Sequence, residues 1–421
     1  MTNERQRIAV IGAGVSGLTT AWLLAEKHDV QLFEAGDYAG GHTNTEYVES
    51  GGRAWPVNTG FIVFNDWTYP NFMRLMDRLG VPSEVSDMSF SVDSSTAGLQ
   101  YNGTSLNTLF AQRKNLLNLP FLNMVREILR FNKETRADLA AGTIRRTETL
   151  GEYLNRNGYS RYFRNNYIVP MGAAIWSAPE IVLEQFPIRF FLQFFNNHGM
   201  LSVDDRPTWR VISDGSARYV KAMMERLGDC IHLNSPVQAV TRGESSVTVT
   251  AEGQSHEFDQ VIFGCHSDQV LAMLTDPSDQ ERDILGAIPY QENDVVLHTD
   301  SSVLPGNRRA WAAWNYFIPK HSTEPVSVTY NMNILQNFHN APEIFCVTLN
   351  RSHDIAPDKV IKRFNYSHPV FTLEAVQAQE RYEEIGNKNR THFCGAYWFN
   401  GFHEDGVRSA LRVTHDFGVE L

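Results

Sequence analysis

Residues 8–34 constrain the fold of this chain more than any other stretch: IAVIGAGVSGLTTAWLLAEKHDVQLFE. Ile8–Ile11 is a short apolar, β-branched run of the kind that forms a strand buried on both faces. Gly12, Gly14 and Gly17 follow in G-x-G-x-x-G spacing. The first glycine allows a tight turn, the second lets backbone approach a pyrophosphate, and the third lets the next helix pack close to the strand. Residues 15–27 read as that helix, with Val15 and Ser16 at the N-terminus that faces the phosphates. A second strand, DVQLFEA, carries Glu34 and Ala35 at its end, where a carboxylate accepts hydrogen bonds from ribose hydroxyls. Strand, glycines, helix, strand and acid in this order predict a bound dinucleotide, which a lone glycine motif would not.

The rest of the composition bounds the function class. A chain of 421 residues predicts two or three domains. A net charge of -11 argues against a nucleic-acid binder, which needs a basic footprint. The four cysteines, Cys230, Cys265, Cys346 and Cys394, include no C-x-x-C pair, so neither a metal site nor a disulfide framework is expected. That usage fits a reducing cytosol. The first strand begins so early that no signal peptide is expected, and no apolar run approaches ~18 residues, so no transmembrane helix is expected either.

Whether the nucleotide is a nicotinamide or a flavin turns on later stretches. Gly40-Gly41 follow Glu34 closely and are succeeded by His42. WPVNTGFIVFN (residues 55–65) reads as a strand kinked at Gly60, between Thr59 and Phe61. Near the C-terminus, THFCGAYWFNGFHEDGVRSALRV reads as a strand ended by Gly395, a loop, and a helix opened by Gly406. A second helix start would then face the cofactor, which a nicotinamide dehydrogenase does not need there.

With TGFIVFN, YPNFMRLMDRLGV, SDMSFSV, IVPMGAAIWSAP, AAWNYF, SVTYNMNILQN, FCGAY and GFHEDG in place, the chain resembles the flavin-containing amine oxidoreductase superfamily. Within that superfamily it resembles the flavin domain at the N-terminus of plant cyclopropane fatty acid synthases and free-standing bacterial relatives. The resemblance implies an α/β, Rossmann-like two-dinucleotide-binding-domain flavoprotein of the amine oxidase and protoporphyrinogen oxidase type, with an α+β substrate domain. It implies a discontinuous FAD-binding domain (1–69, 205–265 and 386–421), a helical cap (70–204) and an antiparallel-sheet substrate region (266–385). FAD is expected to be bound non-covalently. The glycine pair is expected to pass close to it, with His42 where relatives carry arginine. Val237 stands where a valine contacts adenine. Relatives end the C-terminal strand Gly-Asp or Gly-Glu; here Ala396 follows Gly395, and Glu404 or Asp405 is the candidate replacement, with His403 and Val407 beside them.

In amine oxidases of this superfamily a lysine on one sheet strand sits beside flavin N5. Here no lysine lies between Lys221 and Lys320. ENDVVLHTD occupies that place, with Asn293, Asp294 and His298 as its polar members. His298 is a candidate acid/base, because imidazole titrates near neutral pH; a satisfied structural histidine is the alternative. Tyr366 and His368 are further candidates to face the flavin. FPIRFFLQFF (186–195) reads either as core or as the wall of an apolar tunnel.

The expected activity is FAD-dependent oxidation, desaturation or isomerisation of a lipid-like, fatty acyl substrate. An amine oxidase is the second reading, and a non-catalytic partner of a lipid-modifying methyltransferase is the third. The protein is expected in the cytoplasm with peripheral contact at the inner membrane face. Arg113, Lys114, Arg126, Arg130, Lys133, Arg136, Arg145 and Arg146 are the candidate membrane-facing cations, if the helical stretch 116–136 presents lipid rather than water.

Overall fold

The computed structural model describes residues 5–176, 180–202, 205–320 and 327–421. The Ser177–Pro179 end of the IVPMGAAIWSAP stretch lies outside them.

A five-stranded parallel sheet forms the floor of the nucleotide side. Its order is Ile231–His232, Asp29–Phe33, Arg7–Ile11, Gln260–Phe263, Thr391–Phe393. These strands come from three widely separated stretches of sequence, so the chain leaves this sheet twice and returns. Ile8, Ala9, Val10, Val261, Ile262 and Phe263 are fully buried, as expected for strands covered on both faces. Helix Val15–Leu24 covers one face and packs against the C-terminal helix His403–Asp416 and helix Ala217–Leu227. The first helix ends at Leu24, three residues earlier than its sequence suggests, and Ala25–Lys27 continue as turn. A three-stranded antiparallel layer, Val237–Arg242, Val247–Ala251 and Gln254–Phe258, lies beside the sheet and shares its second hydrophobic cluster.

The other half is built on a seven-stranded mixed sheet. Its order is Val360–Pro369, Tyr290–His298, Cys346–Leu349, Ser327–Asn331, Trp314–Ile318, Phe90–Ser94, Leu99–Asn102. Two of these strands come from the stretch expected to be a helical cap. The hairpin Phe90–Asn102 adds to the sheet through parallel pairing of Trp314–Ile318 with Phe90–Ser94. The signal for it was present: FSVDS alternates apolar and polar residues with period two. The 55–65 stretch is likewise two strands, Arg53–Asn58 and Val63–Asn65, separated by a turn around Gly60.

Helices Leu119–Ala141, Leu150–Arg156, Val169–Trp176 and Ile188–Asn197 close over the mixed sheet. Phe121, Met124, Phe131, Tyr153, Phe163, Phe186, Phe191 and Phe195 pack into the core cluster beneath them. Between the two halves runs one cavity of about 850 Å³, within the usual range for cofactor and ligand sites.

Candidate functional site

The cavity begins where the parallel strands end. Gly12 has φ +96°, a conformation that favours glycine, and turns the chain out of the first strand. A Cβ on Gly17 would lie 1.9 Å from the Gly12 carbonyl oxygen, so only glycine lets this helix sit so close to the turn. At Gly14 an added Cβ would meet nothing within 4 Å, because this position opens onto the cavity. The three positions thus differ in local geometry as their spacing predicts: a turn at Gly12, open space at Gly14 and close helix packing at Gly17. Glu34 lies at the mouth, its carboxylate accepting from Ala13 N at 2.7 Å and Gly36 N at 2.8 Å. Ala35 and Val237 line the same end.

The Gly40-Gly41 loop crosses above. Gly41 has φ +58°, and its Cβ would stand 3.2 Å from the Gly14 Cα. His42 is half-buried, its Nε2 is shielded from solvent and lacks a hydrogen-bond partner, and the residue lines the cavity. Gly60 fits beneath it: a Cβ there would approach the His42 carbonyl oxygen to 2.2 Å. Phe61 donates its N–H to that oxygen at 2.7 Å and stacks on the His403 ring at 3.6 Å. His403 Nε2 meets Thr43 Oγ1 at 2.8 Å. Thr59 does not line the cavity; its hydroxyl meets the Tyr366 hydroxyl at 2.9 Å.

Fifteen of the residues expected to hold the cofactor thus converge on one cavity: Gly12, Gly14, Val15, Ser16, Glu34, Ala35, Gly40, Gly41, His42, Gly60, Phe61, Val237, Gly395, Ala396 and His403. Gly17, Gly406 and Val407 act behind them, as packing between the strand and the two helices. The acidic replacements at the C-terminal helix are a correction. Glu404 accepts from Asn71 N and Phe72 N at 3.2 and 2.8 Å, capping helix Pro70–Leu79. Asp405 accepts from Asn400 N and Phe402 N and caps its own helix. Both carboxylates are committed to orphan backbone donors, and neither faces the cavity. The helix itself opens at His403, so Gly406 sits inside its first turn.

The structure also redistributes the candidate catalytic residues. Tyr366 lines the cavity, where its hydroxyl accepts from Asn44 Nδ2 at 3.2 Å and its ring lies 5.0 Å from that of His42. His298 lies eight residues along its strand from the cavity-lining Tyr290, roughly 26 Å at the usual rise. It is fully buried away from the cavity, with Nε2 on Thr348 Oγ1 at 2.7 Å and Nδ1 accepting from Asp300 N at 3.1 Å. The structural alternative is therefore the one observed. Asn293 is also buried behind the wall, with Nδ2 at 3.3 Å from His368 Nδ1 and Oδ1 accepting from Asn350 Nδ2 at 2.9 Å. It positions His368 and does not line the cavity.

Sequence reasoning missed the imidazole cluster. The rings of His42, His266 and His368 lie within 6.4 Å of one another by pairs through His42, and His266 stacks on Tyr290 at 4.4 Å. Burial first, and then the neighbouring imidazoles, hold His42 well below its ordinary value. Burial and then His266 lower His368 to about 4. Burial lowers His266, against the pull of Asp268, and lowers His403 to about 3. All four imidazoles are neutral at pH 7, each with one donor and one acceptor nitrogen. No local motif links residues 42, 266 and 368; only the fold brings them together.

Beyond these residues the cavity becomes aromatic. Trp176, Phe194, Phe402, Trp314 and Tyr330 wall it. Phe194 stacks on Phe402 at 4.9 Å and lies 4.8 Å from Trp176. The 186–195 stretch thus serves both readings, with Phe186, Phe191 and Phe195 in the core and Phe194 on the cavity. Among the described residues that line it there is no lysine or arginine, and Glu34 is the single carboxylate. Among the described residues, no group of three or more His, Cys, Asp or Glu is placed to hold a metal.

The donor set fits FAD. An open Gly14 beside the start of helix Val15–Leu24, the C-terminal helix start at His403, the Glu34 carboxylate and an unpartnered buried His42 Nε2 face one continuous space. Residues 15–311 match the family model described as flavin-containing amine oxidoreductase. The chain is 25% identical to flavin-containing amine oxidase A of Canis lupus familiaris over 262 residues, covering 59% of this chain and 47% of that enzyme. It therefore spans about half the length of that relative. Solved structures similar to it include the CLA-producing fatty acid isomerase from P. acnes, with TM-score 0.72, 17% identity and 99% of each chain covered. Putrescine oxidase bound to putrescine matches with TM-score 0.67 and 17% identity, over 98% of this chain and 99% of that one. The match over 15–311, carried on a parallel sheet whose glycine turn opens onto a flavin-sized cavity, places this chain in the flavin-containing amine oxidoreductase family, with FAD as its cofactor.

Proposed function

We propose that this protein is an FAD-dependent oxidoreductase acting on an apolar, lipid-like substrate, oxidising, desaturating or isomerising an acyl chain. The observation that carries this reading is the inner cavity: aromatic walls, neutral imidazoles, and no charged side chain among its described lining residues beyond Glu34 at the nucleotide end. A buried site without a countercharge suits an uncharged chain, since an unpaired charge is costly to desolvate. The absence of a lining lysine also distinguishes it from the amine oxidases of the resemblance. The fold it shares with a fatty acid isomerase is compatible with this reading.

When bound, the flavin supplies a two-electron acceptor for a hydride from carbon. The protein's own residues then orient the chain and handle protons. Trp176, Phe194 and Trp314 exclude water from the reacting carbon. His368, neutral and held by Asn293, offers a lone pair or a proton near the His42 end of the cavity. The Tyr366 hydroxyl is fixed by Thr59 and Asn44, so its ring keeps one wall rigid.

A small-amine oxidase is the second reading. It is favoured by the T-shaped pair Trp314–Tyr330 at 4.9 Å, since two aromatic faces attract an ammonium group. Incubating the flavin-loaded protein with unsaturated fatty acids, their phospholipids, and primary and secondary amines separates the two. The lipid reading predicts altered double bonds in the acyl products by mass spectrometry. Aldehyde from amines with unchanged acyl chains overturns it. Flavin that neither class reduces favours a non-catalytic role beside a lipid-modifying enzyme.

A further inference from the structure

Six of the protein's exposed large apolar residues fall within one short stretch: Leu106, Leu116, Leu117, Leu119, Leu122 and Leu129. Leu117 is 89% exposed and Leu119 77%. Such a concentration on a water-facing surface marks a contact site rather than ordinary scatter. The local structure explains how the leucines are presented. A 3-10 turn at Arg113–Leu117 ends at Asn118, whose side chain accepts from Phe121 N and starts helix Leu119–Ala141 with Pro120 in its first turn. The buried residues Phe121, Met124, Glu127, Phe131 and Thr135 fix one face inward. Leu119, Leu122, Arg126, Leu129 and Lys133 recur at three- and four-residue intervals and form the opposite, exposed stripe.

Charge identifies what this surface meets. The chain carries -11 overall, yet residues 94–126 contain no aspartate or glutamate. Of the five cations between Leu106 and Lys133, Arg113, Lys114, Arg126 and Lys133 are exposed and Arg130 is half-buried. Glu127 is buried, where it accepts from Ser160 N at 2.8 Å and from the Ser160 hydroxyl. Leucines that project beyond a turn, flanked by unopposed cations, match an interface whose outer layer is anionic and whose inner layer is hydrocarbon. The centre differs from the cationic stretch read from sequence. Arg130 lies 4.0 Å over the Tyr159 ring and donates to Asn157 O, and Arg146 is paired with Glu380 at 2.7 Å. Those two are held by a ring or a carboxylate, whereas Arg113 and Lys114, at the leucine-bearing end, donate only to the neutral oxygens of Asn107, Phe110 and Gly98.

We propose that the surface from Leu106 to Lys133 docks the protein on an anionic phospholipid bilayer, the Leu116–Leu119 turn entering the headgroup layer. Docking rests on this surface alone and stands whether or not the substrate is an acyl chain. The test is co-sedimentation of the flavin-loaded protein with phosphatidylcholine vesicles, with and without phosphatidylglycerol, at low and high salt. Wild-type protein is expected to bind the anionic vesicles at least about tenfold more tightly than the neutral ones at low salt. Leu117→Ser with Leu119→Ser should abolish binding to both, with flavin absorbance and melting temperature unchanged because both side chains are solvent-exposed. Arg126→Glu with Lys133→Glu should remove the preference for phosphatidylglycerol. The proposal is overturned if wild-type protein stays in the supernatant with anionic vesicles at low salt, or if both double variants sediment as wild type does. A dimer in solution that the leucine variant dissolves would also overturn it, assigning the patch to a second copy of the chain.

Discussion

Gly406 lies against Val15. A Cβ at Gly406 would come within 2.5 Å of Val15 Cγ1 and 3.0 Å of Ser16 Oγ. The starts of two helices from opposite ends of the chain are thereby held in contact beside the same cavity. Each helix start contributes partial positive charge and free backbone N–H groups. Their contact concentrates both where a dinucleotide's phosphates would lie.

Gly14 and Gly17 should fail in different ways when substituted. Gly14→Leu fills open space, so the protein should fold and keep its secondary structure while losing FAD. Gly17→Ala meets the Gly12 carbonyl oxygen at 1.9 Å and should destabilise the fold, by about 1–3 kcal/mol as for overpacking in general. Flavin absorbance per protein and chemical denaturation measure the two effects separately. Stoichiometric FAD in Gly14→Leu would refute the placement of the cofactor.

His298→Ala should cost stability without affecting chemistry. It leaves the Asp300 N–H without its acceptor and removes a partner of Thr348 in a fully buried position. A loss of about 1–3 kcal/mol is expected. Flavin occupancy and the rate of flavin reduction should match wild type; a reduction rate lowered a hundredfold would return His298 to the reaction.

Acid should loosen the cavity before it titrates the surface carboxylates. His368 is lowered to about 4 and His403 to about 3 by burial, while in the unfolded chain they titrate near 6.5. Between those values the unfolded state binds more protons, so stability is fully present above about pH 6.5 and declines as pH falls toward 4. Asp405, raised to about 7 by burial, acts in the opposite direction. His368→Gln isolates one imidazole: its stability should fall less steeply over this window, by at most about 1.4 kcal/mol per pH unit. Denaturant midpoints from pH 7 to 4 check the difference, and parallel curves for the two proteins would contradict it.

Legibility followed sequence distance. The strand–glycine–helix–strand–acid unit at 8–34 is local, and its glycines, Glu34 and the loop at Gly40-Gly41 stand where the spacing implies. Glu404 and Asp405 were misread because a carboxylate near a helix start serves equally as a cap, and only the positions of Asn71 and Phe72 for Glu404, and of Asn400 and Phe402 for Asp405, decide which. His298 and Asn293 lie on the expected strand, but a strand's residues alternate faces and extend far beyond any one site. The cluster of His42, His266 and His368 had no local signature. The exposed leucines are indistinguishable from core leucines until the buried face of their helix is known.

On the proposed function, one cavity holds FAD non-covalently between the two helix starts and offers its aromatic end to an apolar substrate. A crystal structure of the flavin-loaded protein soaked with a long-chain unsaturated fatty acid tests it most directly. Pyrophosphate density is expected over Gly14, ring density beside His42 without a bond to any side chain, and acyl density between Trp176, Phe194 and Trp314. Pyrophosphate away from Gly14, a covalent link to the protein, or an acyl chain outside this cavity would contradict it.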